Sequence, residues 1–113
     1  MIYHIISRSD WEEAAGGECY RGDTLDTEGF IHCSTAEQVV DTANILFSGH
    51  EDLLLLEIDE ERLSAEVRYE DAGDGRLFPH IYSPMEIAAV VKVIDFPLEA
   101  DGRFTLPTML KEE

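Results

Sequence analysis

The chain has 113 residues, 25 of them acidic and 8 basic, for a formal net charge of -17, with 44% hydrophobic and 29% charged positions. That length holds one domain with its own core and little else. The acidity opposes binding to the phosphate backbone of duplex nucleic acid, and no apolar run approaches the ~20 residues that span a bilayer. A small anionic ligand held locally by arginine and backbone amides remains compatible with the charge. No basic-then-apolar leader opens the sequence, so a cytoplasmic protein is expected. Cys19 and Cys33 stand outside any C-x-x-C spacing and read as free thiols rather than a disulfide or a structural zinc site.

Ile2 to Ile6 is a β-branched and aromatic run that predicts a first strand ending at Ser7, with Ile2, His4 and Ile6 on one face and Tyr3 and Ile5 on the other. Ser9 to Ala15 predicts a short helix closed by Gly16-Gly17, with Trp11 as its core anchor. Cys19 to Gly22 reads as a brief extended piece, and Asp23 to Gly29 as a polar turn. A short strand, Phe30 to Cys33, follows. Ser34 and Glu37 then have the S-x-x-E spacing of a capping box, opening an amphipathic helix from Thr35 to Phe47. Asn44 is expected on its surface.

Leu53 to Ile58, apolar but for Glu57, reads as a central strand buried on both faces. Asp59 to Leu63 predicts one helical turn and Val67 to Glu70 a short alternating strand. Ala72 to Gly75 reads as a turn. Pro79 and Pro84 keep Leu77 to Tyr82 extended, Pro84 to Ile87 predicts a single turn, and Ala89 to Phe96 the last core strand. From Pro97 the chain reads as a tail draped over the domain and frayed from about residue 107. Residues 1–113 are thus expected to form a single α+β domain on a mainly antiparallel, split sheet with a few short helices.

Three of the four histidines, His4, His32 and His80, fall in extended segments, while His50 sits in a turn. His32 stands at a strand end beside the N-terminus of the next helix, a place that suits an anion or a polarised substrate. A metal site built on these imidazoles with Glu70 or Cys33 is one reading, although no H-x-H or H-E-x-x-H spacing supports it. A Cys33 nucleophile is another. His32 cannot easily activate it, because adjacent strand residues face opposite ways, so His4 or His80 would have to serve. A non-catalytic module binding a small ligand or a protein is a third.

Ile2-Tyr3-His4-Ile5 with Trp11, Gly29-Phe30-Ile31-His32-Cys33-Ser34-Thr35, Gln38-Val39, Thr42-Ala43-Asn44, the Leu54–Asp59 strand, Tyr69-Glu70 and Phe78-Pro79-His80-Ile81-Tyr82 resemble the small bacterial family known as domain of unknown function 952. The order of a strand with a histidine, then a second histidine strand followed by Ser-Thr and a helix, is more distantly similar to the ADP-ribosyltransferase-like superfamily. Its histidine-rich branch includes the RNA 2'-phosphotransferases, which act on NAD.

This resemblance implies an ADP-ribosyltransferase-like fold, NAD as cofactor and group transfer as the chemistry. It implies a catalytic His4 and His32, with His4 also on a ribose of the dinucleotide and His32 near the nicotinamide. Ser34, Thr35, His80 and Tyr82 would complete the cofactor site, Tyr82 as a stacking face. The superfamily's catalytic glutamate has Glu70 and Glu86 as its nearest candidates here, and both read as ordinary surface acids. His4 is followed by Ile5-Ile6 where the superfamily has a small pair.

Overall fold

The computed structural model describes residues 1–22, 24–71 and 75–107. It is a small mixed α/β domain with antiparallel sheets and few helices. Its spine is the sheet β1 (Ile2–Ser7), β4 (Leu53–Ile58), β8 (Val90–Phe96), with β4 in the middle. All six residues of β4 are buried, as a run with no polar alternation requires. Because successive side chains point to opposite faces, the strand divides two cores. Leu54, Leu56 and Ile58 join Ile2 and Ile6 on one side, against Ile31, Ile81 and Met85. Leu53 and Leu55 join Tyr3, Ile5, Ile94 and Phe96 on the other. Glu57 lies buried in that second series. Tyr3, its cross-strand neighbour, donates its hydroxyl to Glu57 Oε2 at 3.1 Å and so satisfies an otherwise costly buried carboxylate.

The second core is closed by α3 (Val39–Leu46) and by the chain beyond β8. Phe104 is buried and stacks on Phe96 with ring centroids 4.8 Å apart, as a tail draped over the domain should. Asn44, expected on the surface, holds this segment instead. Its Nδ2 donates to the Phe104 carbonyl at 3.2 Å, and its Oδ1 accepts from the Phe104 amide at 2.8 Å. Asn44→Ala removes both bonds and is expected to cost about 1–3 kcal/mol of stability, less the ~0.5 kcal/mol by which alanine favours the helix. Urea unfolding reads this directly; a loss below about 0.5 kcal/mol would show that Phe104 is held by its ring alone.

The first core is closed by a second sheet, β3 (Ile31–His32), β6 (Leu77–Ile81), β5 (Val67–Asp71), with β6 central. A bridge between Tyr3 and Ser34, two backbone hydrogen bonds of 2.8 Å each, stitches β1 to the end of β3. The expected split sheet is therefore present.

Local structure departs from expectation in three places. Residues 24–28, expected as turn, form a short helix, α2 (Thr24–Glu28). Pro84 opens no turn: β7 (Met85–Glu86) pairs with β2 (Cys19–Tyr20), and a 3-10 turn follows at Ile87–Ala89. The capping box at Ser34 and Glu37 is not formed. Gln38 reaches back to accept from the Thr35 amide at 3.0 Å, one residue later, and α3 starts only at Val39. The first helix, α1 (Arg8–Ala14), is capped by Ser7, which accepts from the Asp10 amide at 3.2 Å. Among the described residues no helix is long and apolar enough to cross a membrane. The turn expected at 72–74 and the fraying expected beyond 107 lie outside the described residues.

Candidate functional site

Strand alternation sorts the β3-β6-β5 sheet into two chemistries. One face carries Ile31, Pro79, Ile81 and Val67 into or against the first core. The register pairs His32 with His80, Arg68 with His80 and Glu70 with Phe78, so all of these side chains share the other face. Phe30 joins them. Its ring stacks on His80 at 4.1 Å and meets His32 edge-on at 4.7 Å, and the two imidazoles lie 5.4 Å apart.

His80 is buried, with 5% of its surface exposed. Its Nδ1 lies 2.9 Å from Glu70 Oε1, and the same oxygen accepts a short hydrogen bond from the Tyr82 hydroxyl. Tyr82, then His80, hold the Glu70 carboxyl below the usual carboxylate range. Glu70 therefore favours the fold above the unfolded carboxyl pKa of ~4.3. That contribution is lost as pH falls through the lower folded value. The Arg68 guanidinium lies 4.6 Å over the Tyr82 ring and covers it. Glu70, expected from sequence to be a surface acid, is thus the centre of a hydrogen-bonded cluster. Glu86, the other such acid, accepts from the Ser64 amide at 2.8 Å, which lowers its pKa.

His4 reaches this face from β1. Its Nδ1 lies 2.6 Å from the His32 carbonyl and its Nε2 3.0 Å from the Tyr20 hydroxyl. A carbonyl only accepts, so Nδ1 carries the proton and the neutral ring accepts from Tyr20 at Nε2. His32 is half exposed and contacts Glu28 Oε1 through Nε2 at 3.2 Å. Together His4, Tyr20, His32 and His80 line one groove of about 1080 Å³, whose lining also includes the apolar Ile45, Leu46, Phe47 and Phe78.

Ser34 is buried at the floor of the groove, its hydroxyl 3.5 Å from Thr42 Oγ1. Thr35 belongs to the turn closed by Gln38. Tyr82 stands behind Glu70. Cys33 points into the first core, away from His32, and burial pushes its thiol pKa up, so it is no nucleophile at neutral pH. Among the described residues no three His, Cys, Asp or Glu side chains stand where they could share a metal ion. Tyr20, Glu28 and Phe30 are site residues that the sequence pattern did not single out. The signal for Phe30 was its place two residues before His32 in the run expected as a strand.

A family model described as protein of unknown function (DUF952) matches residues 5–93. The chain belongs to the DUF952 family. The matched span of this DUF952 domain includes His32, Glu70, His80 and Tyr82 and begins one residue after His4. The domain is similar to protein CC0527 from Caulobacter crescentus. The X-ray structure of that protein is 36% identical, covers 97% of both chains and superposes with a TM-score of 0.86. Its solution NMR structure is 36% identical, covers 99% of this chain and 97% of the other, and gives 0.83. No curated protein matches the chain.

Proposed function

We propose that this DUF952 domain binds NAD, or a closely related nucleotide, in the groove between the His4 and His32 strands, as an ADP-ribosyltransferase-like protein whose chemistry is group transfer. The observation that carries the reading is the Tyr3–Ser34 bridge. It joins strands far apart in sequence so that His4 and His32 line one groove, in the order the resemblance implies. The groove volume is ample for a cofactor-sized ligand. Phe78 and the exposed edge of His32 offer ring surfaces for a heteroaromatic group.

The diphosphate falls to Arg21 and Arg76, both on the groove wall. The Arg21 ion pair with Asp26 is solvent-exposed, and such pairs are worth only ~0–1 kcal/mol, so exchange for a ligand anion is cheap there. The α3 N-terminus is not used, because Gln38 occupies the Thr35 amide and the helix starts well past His32.

The test is a thermal-shift titration with NAD, ADP-ribose, zinc and nickel against wild type and His32→Ala. NAD at 100 times its Kd should add about 2.7 kcal/mol, visible as a rise of several degrees in Tm that is lost in the variant. A response to metal alone, or to nothing, overturns the reading. Binding without release of nicotinamide on long incubation would instead favour a non-catalytic binding module. One observation leans that way: both ring nitrogens of His4 are engaged within the protein.

A further inference from the structure

We infer that His80, oriented by Glu70, is the proton-accepting group of the groove and removes the proton from a hydroxyl nucleophile, water or an alcohol, brought against its Nε2. The resemblance implies only a cofactor-binding role for His80; the catalytic role rests on geometry. An ionised carboxylate can only accept, so the His80 nitrogen facing Glu70 must be Nδ1–H. The neutral ring then carries its lone pair on Nε2. Nε2 has no hydrogen-bond partner among the described residues. Nor is it sealed from solvent, so it opens where His80 lines the groove. A buried imidazole with one nitrogen locked by a carboxylate and the other open to a cleft is the arrangement a general base needs.

His32 is the competing candidate and the less firmly oriented one. Its carboxylate contact is longer, 3.2 Å against 2.9 Å, and both partners are about half exposed, whereas the His80 side chain is 7% exposed. Phe30 covers one face of the His80 ring, and the Tyr82 hydroxyl holds the orienting oxygen of Glu70 from a second side. His80 is thus held in one tautomer and one orientation.

The electrophile rests on the NAD reading given above. In that case the nucleophile's O–H proton moves to His80 Nε2 as its oxygen bonds to the ribose anomeric carbon. The glycosidic bond to the pyridinium nitrogen breaks, its electron pair leaves with neutral nicotinamide, and His80 returns the proton to solvent.

Two readouts decide the inference. Long-range proton–nitrogen NMR of the full chain should show neutral His80 as the Nδ1–H tautomer, and Glu70→Gln should shift it toward Nε2–H. Finding Nε2–H in the wild type overturns the inference whether or not NAD binds. Where nicotinamide release is measurable, His80→Asn should lower kcat by about 100-fold with KM for NAD changed less than twofold. Glu70→Gln, the milder variant, should lower it about 10-fold. An unchanged kcat in a folded His80→Asn also overturns it. If wild type neither binds nor cleaves NAD, the NAD reading fails alone, and the tautomer still decides whether His80 is poised as a base.

Discussion

Leu56→Ala is expected to lower the unfolding free energy by about 2–5 kcal/mol, and Leu55→Ala to do the same from the opposite side of the sheet. Both side chains are fully buried, yet they belong to different cores. Each truncation removes transfer free energy and leaves a cavity between two layers that cannot close without moving β4. Against a whole-domain stability of ~5–15 kcal/mol, either loss is large. Urea unfolding of the two single variants is the measurement. Similar drops in midpoint at constant m-value support a strand walled in on both faces, whereas a loss under about 1 kcal/mol for either variant would show that its side is open.

The two cysteines should differ in alkylation rate by about a thousandfold or more, because Cys33 reacts only through rare opening of the fold. Cys19 is exposed and Cys33 is buried. Desolvation first, and then the negative charge of Glu60, push the Cys33 thiol upward, so the native state holds it protonated. An unfolded thiol ionises near ~8.5; above that pH the unfolded chain gains stability that the folded chain cannot match, and Cys33 makes the fold less stable as pH rises. Iodoacetamide labelling at pH 8 with peptide mass spectrometry checks this. Comparable rates at the two sites would place Cys33 at the surface and revive it as a nucleophile.

The elements that sequence pattern revealed are those whose cause is local. Leu53–Ile58 reads as a two-sided strand because no polar residue interrupts its apolar start, and β1 reads from its β-branched run. The α2 helix was invisible because Thr24–Glu28 carries one apolar side chain, Leu25, and five residues cannot display a period. The start of α3 depended on whether Glu37 or Gln38 turned back toward the chain, and the Leu77 carbonyl that accepts from Gln38 Nε2 at 2.6 Å lies far away in sequence.

The site was legible in part for the same reason. His4, His32 and His80 could be named from their strands. The role of Glu70 depends on the β5–β6 register, since a slip of one residue would turn it toward the other face. Two extended runs flank a glycine-bearing stretch of the sequence, and pairing them as a hairpin would have set Arg68 and Glu70 beside Phe78 and His80. The Asn44–Phe104 clamp spans sixty positions, and no pattern at either end announces it.

Tyr3 faces two ways at once. Its backbone forms the seam with Ser34 along the groove, while its side chain is buried on the α3 side and tied to Glu57. The residue that satisfies the Glu57 carboxylate is thus the same one whose backbone holds the two histidine strands together.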